Sequence, residues 1–128
     1  MTLTNTGFAE VAGLLNGETT GVFEYIALGT DGATGADPTD TALNTETAAT
    51  DLERQIGTTS RTTTTETNDT ATISKTFTNT SSGTVAVTEA GLFDASSTGI
   101  MLSHQVFASV SVEDDNSLQV TFNVKVSA

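Results

Sequence analysis

The chain has 128 residues, enough for one domain with its own core, and its lack of cysteine excludes disulfides and cysteine metal clusters. Sixteen acidic residues against four basic ones give a net charge of −12, so the surface repels phosphate backbones and anionic membranes. We therefore expect no nucleic-acid or membrane partner. No leader pattern and no long apolar run is visible, and we expect a soluble protein made in a cytoplasm.

Threonine is the commonest residue, with 28 copies. It suits the half-exposed surface of a β-sheet and is a poor residue for helix interiors, so the composition predicts an all-β fold. The acidity and the scarcity of lysine favour a protein kept soluble in strong salt, where self-repulsion is screened. The alternative is an ordinary acidic surface that prevents aggregation.

One short helix is predicted near the start, over about residues 5–16. Its apolar positions recur with helical spacing and form a single stripe: Phe8, Val11, Ala12 and Leu15. Residues 4–6 offer hydroxyl and amide caps, and Asn16-Gly17 supplies a left-handed stop. Gly7 and Gly13 weaken the helix, so packing should hold it at one end or edge of the sheets.

The strands follow in short segments separated by turns. The predicted strands are residues 22–28, 58–66, 71–79, 85–87 with 89–93, 100–107 and 118–127. Residues 29–40 are predicted to form a loop, and residues 41–52 are ambiguous, with Leu43 and Leu52 as their large apolar anchors. The last segment alternates strictly between apolar and polar residues, which is typical of a strand with one dry face, and we expect it to be central in its sheet.

This pattern predicts a single domain over residues 1–128. Six or seven short strands with a turn about every ten residues are typical of an antiparallel β-sandwich or jelly-roll. The predicted fold is therefore an all-β, sandwich-like or jelly-roll-like domain with one short N-terminal helix. No internal repeat is evident.

Glu89 is the carboxylate that most needs a partner, because it lies between Val87 and Leu92 in the most apolar stretch of the chain. With four basic residues available, we predict a structural ion pair between Glu89 and Arg54 or Arg61, since arginine holds a carboxylate with two parallel hydrogen bonds.

The single histidine, His104, is predicted to be a structural residue at an edge or interface, because its neighbour Ser103 points to the opposite face of the strand and the two are not expected to form a Ser-His pair. No phosphate-binding loop follows the first strand, and no catalytic site is predicted. Calcium is the one cofactor with weak support, because two loops gather hard oxygen ligands. The candidate ligands are Asp31, Asp37, Asp40, Asp114 and Asp115.

Several short segments occur in an order that resembles a family of tailed-virus virion proteins, and in particular the N-terminal attachment module of tail-collar fibres. They are residues 4–9, 23–30, 40–43 with Glu46, an arginine at 54 or 61, residues 87–93, and the alternating strand at the end. Fibres continue into a long shaft and a receptor-binding tip, whereas this chain stops at Ala128. The resemblance therefore implies a small accessory piece of a virion, made in the host cytoplasm, more than a receptor-binding fibre.

The function that this implies is structural: a decoration or turret protein on the capsid of a tailed virus, with a haloarchaeal host suggested by the charge. A tail or baseplate protein onto which a fibre docks is the alternative within this class. A small carbohydrate-binding β-sandwich is a weaker alternative, because tryptophan is absent and most of the aromatic residues fall on predicted core faces.

Self-association is expected, with other virion proteins as further partners. A threonine-rich strand over residues 58–66 is too polar for a core, and an exposed strand edge needs a cover. Thr62, Thr64 and Glu66 are the predicted interface, together with the loop over residues 94–99, in a closed trimer or, next, a pentamer.

Overall fold

Two antiparallel sheets and one helix make up the computed structural model, which describes residues 1–127 and confirms the predicted all-β, sandwich-like class. The elements are β1 (Thr2–Leu3), α1 (Asn5–Asn16), β2 (Tyr25–Gly29), β3 (Gln55–Ile56), β4 (Thr58–Thr62), β5 (Thr70–Thr78), β6 (Val85–Phe93), β7 (Met101–Val112) and β8 (Ser117–Lys125). The five-stranded sheet has the order β1-β7-β6-β2-β3, and the three-stranded sheet has the order β4-β5-β8. Within residues 1–127, α1 is too short to cross a bilayer.

The main core lies between the two sheets. Its buried members come from β2, β5, β6, β7 and β8 and from Leu52 in the connection between β2 and β3, and they include Ile26, Leu28, Ile73, Phe77, Val87, Leu92, Leu102, Val112 and Phe122. A second, smaller core lies on the other face of the five-stranded sheet, where Leu43 packs with Ala27, Phe93 and Met101. The connection between β2 and β3, residues 30–54, therefore covers the outer face of this sheet, and we call it the covering loop. The sheet is thus covered on both faces.

The helix begins and ends where the sequence predicts. Thr4 accepts a hydrogen bond from the Gly7 N–H at 2.9 Å, and Gly17 ends the helix in the left-handed region with φ = 80°. Only part of the apolar stripe is in contact, because Val11 packs against the main core whereas Phe8 and Leu15 are 53% and 85% exposed. The closest approach is at Gly7, where an added Cβ would lie 2.7 Å from the Cα atom of Leu102 in β7.

A bulge in β6 decides which residues reach the core. The predicted segments 85–87 and 89–93 form one strand, and its register against β7 shifts between Val87 and Glu89. The shift points both Val87 and Ala90 into the core between the sheets and turns Glu89 toward the outer face. β7 itself continues to Val112, well beyond the predicted end at residue 107.

The closing strand β8 has the predicted alternation but not the predicted place. Phe122 is buried and Gln119 and Thr121 are exposed, yet β8 is an edge strand rather than a central one. The reason is that β7, which precedes β8 through a tight turn, belongs to the other sheet, so β8 pairs only with β5. The predicted strand over residues 58–66 is also shorter, because β4 ends at Thr62.

Candidate functional site

The most unusual feature of the five-stranded sheet is the fully buried carboxylate of Glu89 on β6. Glu89 pairs across the sheet with Gly29 of β2, and its side chain lies directly over that glycine. A Cβ at Gly29 would come within 2.4 Å of the Glu89 Cγ atom, so only glycine leaves room for this side chain.

Both oxygens of Glu89 accept backbone hydrogen bonds from the connection that covers the sheet. The Asn44 N–H donates to Oε1 at 2.8 Å, while the N–H groups of Thr45 and Asp31 donate to Oε2 at 2.8 and 3.3 Å. Hydrogen bonds of this kind offset the cost of removing a carboxylate from water. Glu89 therefore fixes two turns of an otherwise irregular segment to the sheet.

His104 completes the arrangement from the neighbouring strand β7. It lies opposite Gly91, so Glu89 is its diagonal neighbour, and Nε2 is 2.8 Å from Glu89 Oε1. The other ring nitrogen, Nδ1, is 2.7 Å from Oδ2 of Asp40, and the imidazole is fully buried. Each ring nitrogen of His104 therefore lies within hydrogen-bond distance of a carboxylate oxygen, and the imidazole bridges Glu89 and Asp40.

We call Asp40, His104 and Glu89 the ionic network. Each ring nitrogen of His104 already faces a carboxylate, so neither is placed to accept a proton from a nucleophile. Ser103 lies next to His104 in β7, and its buried hydroxyl makes no hydrogen bond within the described residues. The arrangement therefore acts as a clasp between sheet and loop rather than as a Ser-His pair.

The prediction that Glu89 pairs with Arg54 or Arg61 is wrong. Glu89 is paired, but with His104, while Arg54 donates from Nη2 to Glu46 at 2.7 Å and Arg61 is exposed on β4 in the other sheet. The physical reason is the bulge in β6, which turns Glu89 toward β7 and the covering loop. The signal in the sequence was His104 itself, the single histidine, on the strand that follows Glu89.

Arg54 forms a separate clamp at the end of β6. Its guanidinium lies 3.6 Å from the centroid of the Phe93 ring and donates to the carbonyl oxygens of Ala95 and Thr98 at 3.1 and 2.7 Å. Arg54 and Glu46 both belong to the covering loop, and their pair ties that loop to the loop over residues 94–99.

The candidate calcium ligands do not converge. Asp31 and Asp37 accept hydrogen bonds within their own turns, Asp40 belongs to the ionic network, and Asp114 accepts from the Ser82 N–H at 2.9 Å. Asp115 stands in the left-handed region of the turn before β8. Within residues 1–127, no three His, Asp or Glu side chains are arranged to hold a metal ion. The geometry thus gives the calcium hypothesis no support.

Asp69 organises the turn between β4 and β5. Its carboxylate accepts from the N–H groups of Thr64, Thr65 and Glu66 at 2.8–3.0 Å and from the Ser127 hydroxyl at 2.7 Å. These bonds, above all the one from Glu66, hold the pKa of Asp69 far below its usual range. The turn that ends β4 early is therefore built around one carboxylate.

The outer face of the three-stranded sheet carries a continuous set of hydroxyl and amide side chains, which we call the hydroxyl face. Its cross-strand contacts are Thr62–Thr72 at 2.8 Å, Thr64–Thr70 at 2.6 Å, Thr72–Asn123 at 2.9 Å, Ser74–Thr121 at 3.1 Å and Thr78–Ser117 at 2.8 Å. β4, β5 and β8 contain no acidic residue, although they hold Arg61, Lys75 and Lys125.

The predicted interface residues Thr62, Thr64 and Glu66 lie together at one end of this sheet. Thr62 closes β4, and the other two follow in the turn that Asp69 organises. Their role in an interface stays a prediction.

Comparison with protein-family models and with curated proteins gives no match to this chain. Its function is therefore inferred from its own residues.

Proposed function

We propose that this protein is a structural component of a tailed-virus particle, where it serves as a decoration or turret protein on the capsid surface. The observation that carries the proposal is the three-stranded sheet, whose outer face is rich in hydroxyl groups and whose strands hold no acidic residue in a chain of net charge −12. A face of this kind suits contact with another protein, because its strands bring no carboxylate against the acidic surface of a neighbour, and Glu66 is the one acidic residue among the predicted contact residues.

The ionic network supports a structural role. The carboxylate of Glu89 bonds to His104 and to backbone N–H groups of the covering loop. The side chains that could otherwise do acid–base chemistry therefore hold this loop in place. A virion surface protein needs a fixed shape more than a mobile loop, and a clasp of this type supplies it.

The protein acts as a closed homo-oligomer in this proposal, a trimer or else a pentamer, on a local symmetry axis of the particle. Thr62, Thr64 and Glu66 form the contact, because they lie at the end of the exposed edge strand β4. The strong negative charge of the remaining surface keeps the assembled protein soluble in strong salt.

Antibody labelling of purified virus particles tests the proposal. Gold-conjugated antibodies against this chain should decorate the capsid surface in electron micrographs, and the chain should co-purify with particles through a density gradient. Labelling confined to the tail would favour the tail or baseplate alternative, and absence of the chain from purified particles would overturn the proposal.

A paired set of variants tests the contact. Thr62→Lys/Thr64→Lys should reduce incorporation into particles several-fold, since it places charge at the β4 end of the hydroxyl face. Thr76→Lys/Thr78→Lys makes the same chemical change at the other end of β5, away from Thr62 and Thr64, and should incorporate normally because the proposed contact is confined to the β4 end of the face. Equal incorporation of the two variants would exclude Thr62 and Thr64 from the contact.

A further inference from the structure

The outer edge of β8 presents a long row of backbone groups that β5 does not bond. The Asn79 N–H donates to the Asn116 carbonyl at 2.9 Å and the Val126 N–H donates to the Asp69 carbonyl at 2.9 Å, at the two ends of the β5–β8 ladder. Since bonded pairs alternate along an antiparallel ladder, the even-numbered residues of β8 bond to β5. The N–H and C=O groups of Gln119, Thr121 and Asn123 point away from the sheet.

An apolar groove runs beside this edge. β7 and β8 leave their shared turn in different sheets, and between them lies a cavity of about 470 Å³ whose apolar walls are Ala90, Phe107, Leu118, Val120 and Phe122. Leu118, Val120 and Phe107 are only half-buried, although they belong to the inner faces of their sheets. An open strand edge beside such a groove is the arrangement that accepts an added strand.

We propose that β8 pairs in antiparallel fashion with β8 of a second copy, around a two-fold axis at Thr121. This register places Thr121 opposite its own counterpart, Gln119 opposite Asn123, and Val120 opposite Phe122. The outward-pointing groups of Gln119, Thr121 and Asn123 form three bonded pairs with two hydrogen bonds each, which give about six backbone hydrogen bonds. The three-stranded sheets become one six-stranded sheet, the hydroxyl face continues across it, and the half-buried apolar side chains beside the groove become covered.

The charges along β8 argue for a second copy as the occupant. Three acidic residues, Glu113, Asp114 and Asp115, lie in the turn just before β8, and Lys125 ends the strand. Antiparallel pairing brings each Lys125 to the acidic turn of the other copy, because Lys125 lies opposite Ser117 in this register. The two Lys125 side chains stay about 27 Å apart, at about 3.4 Å per residue. The edge is therefore complementary to itself, and this contact does not depend on a place in a virion.

Single cysteines test the register, because the chain has none of its own. Thr121→Cys should form a covalent dimer rapidly under mild oxidation, since directly opposed bonded residues have Cα atoms about 5.5 Å apart, within disulfide range. Thr76→Cys is the matched control on the same face one strand inward, where the counterparts lie about 14 Å apart or more. It should cross-link at least tenfold more slowly. Equal rates for the two variants would overturn the proposal.

Light scattering provides the second arm. The unmodified chain should reach twice 13.1 kDa at high protein concentration, and Thr121→Pro should stay monomeric with unchanged circular dichroism, because this N–H points out of the sheet. Lys125→Glu should raise the dimer dissociation constant at least tenfold at low salt. A monomeric unmodified chain, or a dimer that survives Thr121→Pro, would exclude β8 pairing. A trimer that depends on Thr62 but not on Thr121 would exclude it and still agree with the proposed function.

Discussion

The two sheets of this protein handle polar side chains in opposite ways. The five-stranded sheet is covered on both faces, and its outward-facing Glu89 and His104 are fully buried in a network with Asp40. The three-stranded sheet is covered on one face only, and its outward side chains form the solvent-exposed hydroxyl face. The outward-facing polar side chains of the five-stranded sheet therefore depend on hydrogen bonds to other protein groups, whereas those of the three-stranded sheet can form hydrogen bonds with water.

This difference predicts where substitutions matter. A buried charge that loses its partner cannot turn to water, so the cost of the loss falls on the folded state. A hydroxyl at the surface exchanges a protein hydrogen bond for one with water at little net cost. The small number of buried polar contacts in the five-stranded sheet should therefore contribute more to the free energy of unfolding than the larger number of exposed contacts in the three-stranded sheet.

The largest effect is expected for Glu89→Gln. The substitution keeps the shape but removes the charge beside the His104 ring, and an amide nitrogen would replace one oxygen that accepts from the loop. Breaking one side of a buried ionic pair typically costs about 3–5 kcal/mol of unfolding free energy. Urea denaturation measures the loss. Glu46→Gln, in the pair with Arg54, is the matched control and should cost clearly less, because Glu46 is 37% exposed and Arg54 keeps its hydrogen bonds to the carbonyl oxygens of Ala95 and Thr98.

A double-mutant cycle with His104→Gln sharpens the result. If the two groups act as one unit, the double variant should be less destabilised than the sum of the single variants, with a coupling of about 0.5–3 kcal/mol. Additive losses would show that Glu89 is stabilised by the loop N–H groups alone, and the clasp would then not require the imidazole.

Sequence reasoning predicted the elements better than the contacts among them. The alternation of β8, a helix cap among residues 4–6 and the stop at Gly17 are local signals, and each is present in the structure, where Thr4 is the cap. The partner of Glu89 was missed because it depends on a one-residue register shift between β6 and β7. Nothing local to either strand encodes that shift.

The helix face was missed for a related reason. An apolar stripe predicts a buried face when side chains fill the space between elements, but here the helix approaches β7 so closely that only Gly7 fits. Phe8 and Leu15 are left at the surface as a consequence. The edge position of β8 likewise depends on β7 joining the other sheet, which the turn sequence does not reveal.

An intermediate effect is expected for Asp69→Asn, and it should depend on pH. The folded-state pKa of Asp69 is lowered, so its stabilising contribution is present above the unfolded pKa of about 3.9 and is lost as the pH falls toward the folded value. The unmodified protein should therefore lose stability below about pH 4 more steeply than the variant. Thermal melts between neutral and acidic pH measure the two slopes.

The matched control is Asp37→Asn, because the pKa of Asp37 is also lowered, first by the Thr39 hydroxyl and then by the Thr39 N–H. Asp37→Asn should reduce the loss of stability at acidic pH less than Asp69→Asn does, because Asp69 also ties the turn after β4 to Ser127. Equal slopes for the unmodified protein and Asp69→Asn would show that the Asp69 bonds persist without the charge.

The smallest effect is expected for Thr72→Val, at the centre of the hydroxyl face. Thr72 contacts both Thr62 and Asn123 through its hydroxyl, but water can replace both bonds, and valine keeps the branched shape that suits a strand. The change in unfolding free energy should stay within about 0.5 kcal/mol. Thr4→Val makes the same chemical change at the helix cap, where the hydroxyl is fully buried, and should cost about 1 kcal/mol. If Thr72→Val costs as much as Thr4→Val, the hydroxyl face is a cooperative network in its own right, and the contrast between the two sheets lies only in which groups they use.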